Sequence, residues 1–206
     1  MVHDVRGRAT SCLAVILAGA AVCMLPTELT ATEAARASIT VRVYRQAADL
    51  SSALEDRALR EAETVLRAAF VDLRWQDCTR QDRSAACDVP AGPSELLLVV
   101  RGGGPCQEMP ARLGHAIAGG VMATVHVNCI VWLARESRTD AAVLLGRVIA
   151  HELGHLMMRT SSHPGRGLMR AKWTLVEVRR NHATDWAFTP DDVRAMHQSL
   201  GTPLLK

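Results

Sequence analysis

Apolar and polar positions alternate along Ile39-Thr-Val-Arg-Val-Tyr44, the period-two pattern of a half-buried strand. From Asp49 to Phe70 the period turns helical: Leu50, Leu54, Ala58, Ala62, Val65, Leu66 and Ala69 share one face. Val71 to Asp77 reads as a second strand. Pro90 to Ser94 breaks the chain, and the apolar run from Glu95 to Arg101 reads as a third, more deeply buried strand. Gly102 to Pro105 is a loop without the lysine and following helix of a phosphate cradle. Gly114 to Leu133 is apolar with glycine interruptions. It predicts two short strands, near Ala116–Ala118 and Ala123–Val131, one of them a sheet edge.

Val143, Leu144, Val148, Ile149 and Leu156 then recur at helical spacing, and Thr139 or Asp140 can cap the start of that helix. Pro164, Gly165 and Gly167 mark a turn soon after it. Trp173 to Arg180 reads as helical. Thr189-Pro190-Asp191-Asp192 is a helix start with a cap, a proline at the first position and acids in the first turn. That last helix runs to about Leu200, and Gly201 ends it. Strand, helix, strands and then a buried helix predict an α/β or α+β layer over a mixed sheet.

The 206 residues suit one domain plus a leader, and 49% apolar residues are enough for a sizeable core. Aromatic residues make up 3%, so that core is built from Val, Leu, Ala and Ile. A net charge of +3 gives no reason to expect nucleic acid as a partner.

Residues 1–37 read as a secretory signal peptide, with 38–206 as the mature domain. His3, Arg6 and Arg8 make a basic start, and Cys12 to Leu25 is an apolar run too short for a comfortable membrane span. Ala35-Arg36-Ala37 fits a small-x-small cleavage site, with Ala31 an alternative. The mature form is then secreted or periplasmic, with no membrane association, and is expected to be a monomer. Loss of the leader removes Cys12 and Cys23 and leaves Cys78, Cys87, Cys106 and Cys129. Four cysteines in an exported protein suggest two disulfides, with three connectivities open. Cys78 and Cys87 enclose a polar loop and are expected to pair, leaving Cys106 for Cys129.

The chemistry concentrates in His151-Glu152-Leu153-Gly154-His155, an H-E-x-x-H pattern on the predicted buried helix. Residues four apart on a helix share a face, so two imidazoles can grip one Zn²⁺ at about 2.0–2.1 Å each. Glu152 is one step round, placed to take a proton from a zinc-activated water without being a ligand. Catalytic zinc needs a third protein ligand and an open fourth position. His163, inside the turn that follows the helix, is the candidate.

Here the chain resembles the zincin metallopeptidases and, within them, the metzincins, which carry H-E-x-x-H-x-x-G-x-x-H and then a methionine turn under the metal. Met169 takes the place of that methionine. The stretch His151 to His163, with Gly-Leu-Met169 and Trp173, is also similar to a group of small secreted bacterial proteins, a likeness that covers most of the chain from Ile39 onward. The resemblance implies an α+β, zincin-like fold: a mixed twisted sheet, an active-site helix and a small helical carboxy-terminal subdomain. It implies a zinc endopeptidase with Glu152 as general base, His151, His155 and His163 as zinc ligands, and a peptide substrate along a sheet edge. Two departures stand out. Met158 replaces the glycine of the pattern, and Ser161 stands where its third histidine falls, two residues before His163. Glu177 is therefore the competing third ligand, as in the gluzincin branch. The alternative function is an inactive, zinc-stabilised extracytoplasmic binding domain.

Smaller signals carry plainer readings. Met157 and Met158 are expected in the core. His115, His126, His182 and His197 are surface or hydrogen-bonded histidines, each a candidate donor to the tetrahedral intermediate. Asp185 is a candidate to orient a ligand imidazole. No tyrosine follows Met169, where some metzincins place one; Arg170 stands there.

Overall fold

A computed structural model describes residues 36–47, 50–79, 83–103, 106 and 112–201. The expected leader up to position 35, with Cys12 and Cys23, lies outside the described residues, as do Gly104 and Pro105 of the expected glycine loop. Five strands form one sheet: β1 (Ala37–Gln46), β2 (Val71–Asp77), β3 (Glu95–Arg101), β4 (Gly114–Ala116) and β5 (Met122–His126). Their spatial order is β2-β1-β3-β5-β4, and only β4 runs antiparallel to its neighbour. Parallel neighbours need a crossover, and α1 (Ser52–Ala68) supplies it between β1 and β2. Ser51 starts that helix by accepting from the Leu54 N–H.

The helix expected from the Val143–Leu156 spacing is α3 (Ala141–Met158). Its N-cap is Asp140, whose carboxylate accepts from the N–H groups of Ala142 and Val143. Arg159 closes the other end in a left-handed conformation, at φ 54°. Residues all round α3 are buried, because it lies between the sheet and its helical neighbours. It approaches α1 closely at Gly146, where an added Cβ would sit 2.5 Å from the Ala58 carbonyl oxygen. Val41, Val43, Leu98, Val100, Ala123 and Val125 from the strands share one core with Ala58, Leu66, Leu145, Ile149 and Leu153 from these helices.

One expected element changes type. The strand expected over Ala123–Val131 ends at His126, and the chain continues directly as α2 (Val127–Ser137). An unbroken apolar run fits either period. Packing decides for helix, because Val127, Ile130, Leu133, Ala134 and Ser137 recur at helical spacing and are all buried. The neighbouring short strand lies at Gly114–Ala116, two residues earlier than expected.

The carboxy-terminal part holds α4 (Leu175–Arg180) and α5 (Pro190–Ser199). Thr174 with Glu177, and Thr189 with Asp192, form reciprocal capping boxes at their starts. Gly201 follows α5 at φ +66°, a conformation that favours glycine. Cys78 is joined to Cys87 and Cys106 to Cys129, the two pairs expected.

Candidate metal centre

His151 and His155 lie one turn apart on α3 with their rings edge-on, and the turn after the helix brings His163 back to them. The ligand atoms of all three lie within 4.8 Å of one another. His155 Nε2 is 3.1 Å from His151 Nε2 and 3.1 Å from His163 Nε2. Two imidazole nitrogens on one tetrahedral zinc, each at about 2.0–2.1 Å, are separated by roughly 3.3 Å. The spacing therefore fits a shared ion.

The other ring nitrogens fix the tautomers. His151 Nδ1 is 2.9 Å from the Leu168 carbonyl oxygen, and His155 Nδ1 is 2.8 Å from that of Thr160. A carbonyl only accepts, so each Nδ1 carries the hydrogen and each Nε2 of the neutral ring is bare. Burial pushes His151 down to about 4, and burial lowers His155 as well, so both rings stay neutral near pH 7. Two lone pairs facing each other at 3.1 Å repel unless a cation lies between them. The donor set thus fits a zinc ion on the chemistry of its own hydrogen bonds.

Backbone carbonyls, not a carboxylate, orient these rings. Asp185, the expected orienting group, instead offers its backbone carbonyl to Arg170 Nη1 at 2.5 Å. Nothing in a residue pattern announces a carbonyl contact, so Leu168 and Thr160 were not legible as partners. Met169 is fully buried, with its Sδ against Gly154, where an added Cβ would fall 2.9 Å from it. The methionine turn therefore packs on α3 one residue before His155.

Glu177 stands apart from this cluster. Its Oε2 accepts from the N–H and hydroxyl of Thr174 at 2.8 and 2.7 Å. Its Oε1 pairs with Arg170 at 3.6 Å. Those Thr174 hydrogen bonds hold its carboxyl below the usual range. Of the two candidates for a third ligand, the fold brings His163 to the pair and commits Glu177 to a helix cap.

Glu152 is 6% exposed, and burial pushes its carboxyl up to about 8 against the opposing pull of Arg112. It faces the sheet edge: a Cβ on Gly114 of β4 would sit 2.7 Å from Glu152 Oε1. Sequence reasoning passed over Gly114. A glycine in a short strand is a weak signal of close approach.

The remaining histidines separate. Strand alternation puts His115 on the opposite face from Gly114, with its ring stacked on His126 at 5.7 Å. His197 is buried and bonds the Ala69 carbonyl at 2.9 Å, while His182 precedes a short 3-10 turn without a side-chain capping bond. Met157 is buried in the core, and Met158 packs against it half-buried.

Two hollows flank the centre. One of 510 Å³ is lined by Leu133, Val148, His151, Glu152 and Trp173 among others. The other, of 380 Å³, lies along β4 and is lined by Ala116, Ile117, His155 and Ser161. Gly114, Arg112, Glu152 and His163 border both.

No protein-family model and no curated protein matches the chain. Solved structures do. A zinc-dependent peptidase from Methanocorpusculum labreanum is similar over 76% of this chain and 99% of its own, at a TM-score of 0.51 and 16% identity. The two chains share a fold. Archaemetzincin from Methanopyrus kandleri aligns over 81% of this chain and 96% of its own, at a TM-score of 0.49 and 15% identity. The expected zincin-like class is the one observed: a mixed five-stranded sheet with a buried helix that carries His151 and His155.

Proposed function

We propose that the chain is an exported zinc-dependent endopeptidase, with the ion held by His151, His155 and His163 and with Glu152 as general base. The observation that carries this reading is the pair of bare Nε2 atoms 3.1 Å apart, joined by the Nε2 of a third histidine and bordered by a buried carboxyl. Zinc bound there supplies Lewis acidity to a water and to a carbonyl oxygen. Glu152 accepts the water's proton as the new C–O bond forms, and hands it to the leaving amine as the C–N bond breaks. A zinc ion beside Glu152 would favour the ionised carboxylate that this role needs, against the burial that raises its proton affinity in the metal-free chain. The outer edge of β4, the end strand of the sheet, takes an extended peptide by strand addition and lays the scissile bond beside Glu152. Export is supported by the two disulfides, which persist in oxidising compartments.

Metal analysis of the purified protein, combined with cleavage of a peptide library, tests the proposal. Glu152→Gln is expected to keep its zinc and lose at least about 10³-fold in kcat. Equal turnover by the variant and the wild type removes the mechanism.

A further inference from the structure

The larger hollow has a chemistry of its own. Its floor is apolar: Leu133 and Val148 are each 1% exposed, and Trp173 stands beside them with its ring edge-on to His151. Its polar lining is one-sided. Arg112, Arg170 and Lys172 all border it, and among the described residues Glu152 is the only acid that does. Arg112 and Lys172 are exposed on the rim, whereas Arg170 is buried.

The charge of Arg170 is incompletely compensated. Its Nη1 donates to the carbonyls of Gly167 and Asp185. Its Nε and Nη2 have no hydrogen-bond partner; among the described residues its ion-pair partner is Glu177 Oε1, 3.6 Å from Nε, and its guanidinium lies 4.8 Å from the centre of the Trp186 ring. A concave, apolar-floored site with three cations focuses a positive field on whatever enters it. At 510 Å³ it admits side chains of any size, so charge rather than volume does the selecting.

We propose that this cavity recognises a carboxylate on the residue flanking the cleaved bond, with the methylene stem over Leu133 and Val148 and the anionic end among Arg112, Lys172 and the fixed charge of Arg170. The proposal rests on the peptidase reading, and its test separates the two. Peptides that differ only at one flanking position (Glu, Gln, Leu or Lys), acetylated and amidated at their ends, are compared with versions that carry a free carboxylate at the chain terminus. With the zinc-loaded enzyme, kcat/KM is expected to favour Glu over Lys by about 30-fold, with Gln between, and the ratio to shrink as salt rises. Lys172→Glu and Arg112→Glu are each expected to cut that ratio by roughly fivefold or more. A preference seen only with the free terminus assigns the anion to the chain end and sustains carboxylate recognition. Calorimetry with the Glu152→Gln protein reads the same ranking as Kd without turnover. If the wild type cleaves nothing, the peptidase reading fails, and that binding series still decides the cavity. Glu and Lys peptides bound or cleaved within threefold of each other, or a ratio that neither charge reversal moves, overturns the proposal.

Discussion

Gly114 and Glu152 touch without room for a single added methyl: a Cβ on Gly114 would lie 2.7 Å from Oε1 and 2.8 Å from Cγ of Glu152. The same Cβ would meet the Thr124 carbonyl oxygen at 2.9 Å, so the strand cannot simply slide away from the glutamate. Gly114→Ala must therefore push the carboxyl out of place or shift the sheet edge. A displacement of this kind near the reacting atoms costs about 10²-fold in rate, and overpacking of this degree costs about 1–3 kcal/mol. Kinetics of Gly114→Ala should show the rate loss with zinc content unchanged. An alanine variant with wild-type kcat/KM would show that Glu152 need not hold this position.

The third-ligand question becomes a measurement on two substitutions. His163→Ala removes one of the three converging nitrogens. Its zinc affinity should fall by more than the roughly 10–100-fold that loss of an outer partner costs. Glu177→Ala removes the reciprocal partner of the Thr174 cap and should cost about 1 kcal/mol of stability with zinc retained. Chelator competition against both variants, alongside thermal melts, separates the two effects. Zinc lost from Glu177→Ala and kept by His163→Ala would reverse the assignment.

Much of this was legible in the chain because the relevant signals are local. The spacing of His151 and His155, the Asp140 cap and the Pro190 start each act within one or two turns, so residue order alone specifies them. The return of His163 was readable in part, since Pro164 and Gly165 mark a turn without stating where it leads. What sequence reasoning missed depends on tertiary packing. The apolar run through Val127–Val131 is ambiguous until a core chooses its period. The carbonyls that orient the imidazoles, and the contact of Gly114 with Glu152, join segments 17 or more residues apart, or bond through backbone that every residue shares.

Gly154 extends the same logic to the inside of the motif. A Cβ there would lie 2.8 Å from Phe188 Cε1 and 2.9 Å from Met169 Sδ, both buried side chains packed under the helix. Gly154→Ala gains helix propensity worth about 1 kcal/mol but forces those neighbours apart at about 1–3 kcal/mol. The net expectation is a destabilised protein with weakened zinc binding, because Met169 adjoins Leu168, whose carbonyl holds His151. Thermal melts with and without zinc check this. A variant more stable than wild type in both states would show that the Met169 turn yields freely.

The metal-free protein should carry a distinctive pH dependence. The Glu152 carboxyl is raised by burial from 4.5 to about 8, so between those values the folded chain holds a proton that the unfolded chain has released. Its contribution is fully present below pH 4.5 and is lost as pH rises through about 8. His151 runs the other way. Its folded value of about 4 lies below the ordinary 6.5, so the unfolded chain binds the extra proton and stability falls as pH drops from 6.5 toward 4. Between about pH 4.5 and 6.5 the two opposing slopes cancel, so the apo protein should keep an even stability there and lose it along an alkaline arm from 6.5 to about 8. At roughly 1.4 kcal/mol per pKa unit, that alkaline arm amounts to about 2 kcal/mol. Glu152→Gln keeps the shape of the side chain and removes its titration, so it should flatten the alkaline arm and uncover the His151 loss below pH 6.5 that Glu152 offsets in the wild type. Denaturant melts of both proteins from pH 4 to 9, with chelator present, give the comparison. An alkaline arm of equal slope in the two proteins would place its origin in a group other than Glu152.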